Sequence, residues 1–214
     1  MSNTSYFSHA NLTTDSNVPV QNPSYLAYLD NLIKTSDMIL LDADTAQKGS
    51  AFDALVRQFI PFLSKHRRQI ICPQATLNEL KYLSMSLDPR SAGKAAKAIE
   101  SITALSHAGY VVYRGNPNER ETANAAIVRC VSTNIWDANI LVLSQSKDVA
   151  ADCKLFNQIR STKLNHIVIV KRISDQYGRI QDFLDSRDNR IPPSRNTEQK
   201  SSSNTADVLK RFGL

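Results

Sequence analysis

The chain has 214 residues and a formal net charge of +6 at pH 7, with a sequence pI near 9.3. Its 42% hydrophobic content suits one domain with a real core, or one domain plus tails, and no run of about 18 apolar residues occurs that would span a membrane. Cys72, Cys130 and Cys153 are odd in number and far apart, which excludes a zinc-knuckle or disulfide scaffold and fits reduced, mostly buried thiols.

Residues 1–23 are rich in Ser, Thr and Asn and lack the apolar centre of a secretion signal. They read as a disordered tail on a cytoplasmic protein. "PSYLAYLDNLIKTSD" then carries Tyr25, Leu29, Leu32 and Ile33 at helical spacing. "MILLD" is the first strand. After Gly49, "SAFDALVRQFIPFLSKHRR" repeats Phe52, Leu55, Val56, Phe59 and Leu63 as a helix, with a kink or break expected at Pro61. "QIICP" is a short buried strand, and Pro73 suits the first turn of a helix over "QATLNELKYLSMSL". "SAGKAAKAIESITALSHAG" is a helix closed by Gly109, and "YVVYR" a strand.

Asn118 is expected to cap a helix over "ERETANAAIVRCVSTN", which places Glu119 and Glu121 in its first turn and sets Glu121 and Asn124 on one face. "ANILVLS" is a strand, "KDVAADCKLFNQIR" a helix and "HIVIVKRI" the last strand. Residues 176–214 lose apolar periodicity and read as a charged, largely disordered tail with a short apolar-basic end, "ADVLKRFGL". From Arg190 onward the tail holds five basic and two acidic residues, half of the net charge.

Residues 24–175 thus alternate helix and strand with five strands. Near-continuous apolar strands joined by helices give a parallel sheet covered on both faces, an α/β three-layer sandwich. Ligands in such folds sit beyond the carboxyl ends of the strands. In "MILLDADTA" a buried strand runs out into Asp42 and Asp44 at that place. There is no glycine-rich phosphate loop, and only six glycines, so a dinucleotide site is not expected.

Two chemistries use an acid there. "LLDADTA" resembles the opening motif of haloacid-dehalogenase-type phosphatases, whose paired aspartates act as nucleophile and general acid. The match lacks that family's later elements. No Ser or Thr ends the second strand, and no paired acids follow "ANILVLS". Metal-dependent phosphodiester hydrolysis instead needs carboxylates gathered around one cavity from several elements. The chain offers Asp42 after the first strand, Glu79 on the helix after the second, and Asp148 at a helix start after the fourth.

With "ICPQATLNELKYL", "ETANAAIVRCV" and "ANILVLSQSKDVAADC" following "MILLDADTA" in order, the chain resembles the PIN-domain ribonucleases over residues 24–173. The resemblance implies a flavodoxin-like sheet of strand order 3-2-1-4-5 and cleavage of RNA with Mg²⁺ or Mn²⁺. It implies that Asp42 and Glu79 are metal ligands. Asn124 stands where the family has its third acid and Ser146 where it has a fourth, with Ser144 as the accompanying hydroxyl and Asp148 two residues late. Two of four acids are therefore replaced by neutral groups, which weakens metal binding and water activation. Asp44, Glu121 or Asp148 would have to compensate.

Two functional classes follow. One is a metal-dependent endoribonuclease with a weakened site. The other is a PIN-like module without catalysis that binds RNA or a protein. RNA is the expected partner, with a protein partner for the C-terminal end, a homodimer as a further expectation, and no membrane association. Tyr113 and Arg114, beside "GNPN", suit either RNA contact or a plain loop.

Overall fold

The computed structural model describes residues 22–118, 120–160 and 166–183. The N-terminal tail, Glu119 and the apolar-basic C-terminal end lie outside the described residues.

Helix α1 (Pro23–Thr35) starts from Asn22, whose side chain accepts from the Ser24 N–H, and it has proline at its first position. It presents Leu29, Leu32 and Ile33 to the core. Strand β1 (Met38–Leu41) follows, then a single helical turn, α2 (Ala43–Ala46), and α3 (Ser50–His66). Pro61 lies inside α3 without ending it. Its ring removes one N–H, and both Pro61 and Arg57, whose carbonyl loses that donor, are exposed on the solvent side of the helix.

Strand β2 (Ile70–Pro73) leads into the hairpin of α4 (Gln74–Ser84) and α5 (Pro89–His107). Pro73 is the residue before α4, not in its first turn. Gly109, at φ 82, closes α5, with the Tyr110 N–H donating to the Leu105 carbonyl and the Gly109 N–H to that of Ser106. Then come β3 (Val111–Arg114), α6 (Ala123–Asn134), β4 (Ile140–Leu143), α7 (Lys147–Arg160), β5 (Val168–Ile173) and β6 (Ile180–Asp182).

The sheet order is β3-β2-β1-β4-β5-β6. The first five strands are parallel, with Leu40 level with Ile71 on one side and Val142 on the other. The parallel five-stranded sheet expected from the apolar strands, in the order 3-2-1-4-5 that the resemblance implies, is present. It needs one correction. A sixth strand, β6, pairs antiparallel with β5 and lies within the segment read as tail. Its three residues hold one isoleucine, too little for a periodic signal. Lys171 of β5 anchors it. The ammonium is 2.7 Å from the Asp182 carboxylate and 5.3 Å from the centre of the Tyr28 ring.

Alternation along the strands divides the core. Ile39, Leu41, Ile70, Cys72, Leu141 and Leu143 join one cluster with buried residues of α1, α3 and α5. Leu40, Ile71 and Val142, also buried, point to the other face, where α6 meets β2 and α7 meets β5. Among the described residues no helix is long and apolar enough to cross a membrane.

Candidate functional site

The strand numbering reverses between β1 and β4, so the crevice beyond their carboxyl ends is the topological switch point. Asp42 is the residue after β1, and Ser144 the residue after β4.

Asp42 is 1% exposed. It is the N-cap of α2, its Oδ1 accepting from the Thr45 N–H at 2.6 Å. Its Oδ2 accepts from the Gln145 N–H at 3.0 Å and from the Ser144 hydroxyl. The Asp42 N–H donates to the Leu143 carbonyl, so main chain and side chain both bind β1 to the end of β4. Burial, the largest influence, pushes the Asp42 carboxyl above the usual aspartate range, while the bonds from Ser144, Thr45 and Gln145 act against it.

The network continues outward. The Ser144 Oγ accepts from the Ser146 N–H at 3.0 Å. The Ser146 Oγ accepts from the Val149 N–H at 3.3 Å, capping α7, and from the Asn124 amide at 3.3 Å. Asn124 is at the second position of α6. Just before it, the Ala123 N–H donates to the Glu79 carboxylate at 3.0 Å. Asp42, Ser144, Ser146 and Asn124 thus form one hydrogen-bonded chain, and Glu79 joins it through the start of α6. Thr76, one turn before Glu79 on α4, is buried and donates its hydroxyl to the Leu41 carbonyl at 3.2 Å, which brings α4 to the end of β1.

Three sequence-predicted residues lie outside this chain. Asp44 and Asp148 are exposed, in the first turns of α2 and α7. Glu121 is bound by the Arg129 guanidinium, 2.9 Å from Nε. It is not in α6, because Thr122, not Asn118, is the N-cap, its hydroxyl accepting from the Ala125 N–H. The shared helix face expected for Glu121 and Asn124 therefore does not exist. The helix begins four residues late because Thr122 directly precedes the buried run Ala123, Ala126, Ile127 and offers the nearer cap. Sequence reasoning missed Thr122 and Gln145. Thr122 had a legible signal, a threonine just before an apolar run. Gln145 had none. Its amide Nε2 is buried and has no hydrogen-bond partner.

Among the described residues no group of three or more His, Cys, Asp or Glu is placed to hold a metal ion. The donor set explains why. Asp42 has both oxygens on internal donors, Glu79 has one oxygen on the Ala123 N–H, and the other two positions are an amide and a hydroxyl. A hard divalent ion needs about six oxygens, several of them anionic and free. The residues present do not fit Mg²⁺ or Mn²⁺.

Fold and site together define an α/β protein with a mostly parallel sheet and a buried carboxylate network at its switch point. The solved structure of the PIN domain endonuclease Utp24 is similar to this chain with a TM-score of 0.40 and 13% identity, over 71% of this chain and 94% of that one. No protein-family model matches the sequence, and no curated protein does.

Proposed function

We propose that this chain is a PIN-like module that binds single-stranded RNA without cutting it. The observation that carries the reading is the state of Asp42, which is 1% exposed with both oxygens committed to Thr45, Ser144 and Gln145. Hydrolysis of a phosphodiester needs carboxylates turned toward hard ions and an attacking water. Here the two acids that the PIN resemblance assigns to metal accept bonds from helix N-termini instead. Asn124 and Ser146 supply no charge. The surface left at the carboxyl end of the sheet offers amides and hydroxyls, with Arg114, Arg120 and Lys147 exposed around it. Such donors and cations suit phosphate and ribose oxygens.

The test is binding of a labelled oligoribonucleotide followed by anisotropy, with the RNA then run on a gel after incubation with Mn²⁺ and Mg²⁺. Salt-sensitive binding and intact RNA are expected. Cleavage that disappears in Asp42→Asn would overturn the proposal in favour of a metal-dependent endoribonuclease. No binding even at low salt would overturn it in favour of a protein-binding module.

A further inference from the structure

Large apolar side chains at the surface are ordinary when scattered singly. At the tip of the α4–α5 hairpin three stand within six positions. Tyr82 is 78% exposed, Met85 80% and Leu87 101%. Asn78, Tyr82 and Met85 are four and then three residues apart, so they line one face of α4 and its continuation. Asn78 fixes where that face looks. Its amide donates to the Pro117 carbonyl at 2.9 Å, in the loop between β3 and α6, the loop that also carries exposed Arg120. Glu79 beside it accepts from the Ala123 N–H at the start of α6. The stripe therefore starts at the border of the switch-point crevice and runs outward from it.

The hairpin that carries the stripe is also cationic. Lys81 is exposed on α4. Arg90, Lys94 and Lys97 are exposed on α5 at i, i+4 and i+7, one ridge of the helix. None of these four has an ion-pair partner among the described residues. Asp88, beside Lys94, spends its carboxylate on the Ser91 hydroxyl and on the N–H groups of Arg90 and Ser91. Three apolar side chains are far less than the roughly 800 Å² per partner of a stable protein interface. An exposed aromatic ring on the same hairpin as a row of exposed cations is what stacks a base and holds its phosphates.

We infer that the α4–α5 hairpin is a single-strand grip, with Tyr82 as a base-stacking platform and Lys81, Arg90, Lys94 and Lys97 as its phosphate track. The inference rests on the RNA-binding reading and assigns it a surface beside the crevice. Met85 and Leu87 widen the platform with flat aliphatic contact and keep water from its edge.

The test uses the full chain and a labelled oligouridylate of about 12 nucleotides, read by anisotropy at several salt concentrations. Tyr82→Ala should weaken binding about tenfold, and Tyr82→Phe should stay near wild type, because the ring and not the hydroxyl stacks. Lys94→Gln with Lys97→Gln should lower the slope of log affinity against log salt by about 1.4, two phosphate contacts on a single strand. These are surface changes, and an unchanged melting temperature confirms the fold. If wild type binds and Tyr82→Ala binds equally well, the grip is refuted while the RNA reading stands. If wild type binds no RNA, both fail. If Tyr82→Ala instead changes the oligomeric state by light scattering, the stripe is a contact between copies and the inference is overturned.

Discussion

A buried carboxylate is expensive unless its oxygens are satisfied, and Asp42 is satisfied three times over, by two N–H groups and a hydroxyl. Removing the acceptor strands all three donors in a place that water does not reach. Asp42→Ala should therefore lower unfolding free energy by about 2–4 kcal/mol, measured by urea denaturation. An acid held among other acids behaves in the opposite way, because neutralising it relieves repulsion. An unchanged or raised stability would return Asp42 to the role of metal ligand. The thiols give a second residue-scale expectation. Burial pushes Cys72 and Cys153 up to about 12, and thiolates are the reactive form. In native protein both should resist alkylation under mildly alkaline conditions and react once unfolded, which mass spectrometry can follow. Asp42 and Glu79 were legible as special because one ends an apolar strand and the other sits on the following helix. Their partners were not. The Ser144–Asp42 bond joins residues 102 positions apart and the Ala123–Glu79 bond residues 44 apart, and no local pattern encodes either.

Between elements, the Asn124–Ser146 bond ties the N-terminus of α6 to that of α7. Two neutral side chains 3.3 Å apart sit where two carboxylates would repel each other. Asn124→Asp with Ser146→Asp should lower the melting temperature in the absence of metal and raise Mn²⁺ affinity in titration calorimetry. Unchanged affinity would mean that the two positions do not face a common cavity with Asp42. The turn between β5 and β6 gives a contrasting case. Gly178 has φ 74, and a Cβ there would lie 2.3 Å from the Leu55 nitrogen of α3. At Gly109, φ is 82 and a Cβ would meet nothing within 4 Å. Gly109→Ala should cost about 1–2 kcal/mol, for the left-handed conformation alone. Gly178→Ala should cost clearly more, because α3 must shift. Parallel thermal melts would compare them. At this scale the long apolar helices and strands were readable. The start of α6 was legible only in Thr122, the cap nearer the apolar run, because Asn118 carries the same cap chemistry and packing decides between them.

For the molecule as a whole, the parallel sheet was legible because its central strands β2, β1 and β4 are buried on both faces and read as unbroken apolar runs. The antiparallel addition was hidden, because an edge strand needs no such run. Charge links α1 to α3. Lys65 is 2.8 Å and His66 2.6 Å from the Asp30 carboxylate, and the Lys65 bond, then that of His66, holds Asp30 below the usual carboxylate range. A depressed acid contributes stability above its unfolded pKa, near 3.9, and loses that contribution as pH falls through its lower folded value. The melting-temperature gap between wild type and Asp30→Asn should be open at neutral pH and close in strong acid. A gap independent of pH would mean that Asp30 acts through packing alone. The β5–β6 ladder has one more consequence. A chain ended at residue 175, where the sequence invites a boundary, would leave Lys171, Arg172 and Ile173 with bare main-chain donors and acceptors on the outer margin of the sheet, and Lys171 without its carboxylate. An open margin recruits strands from other molecules. Light scattering of the shortened chain beside the full one should show aggregation that the full chain resists, so three residues that look like tail are what keeps this sheet to itself.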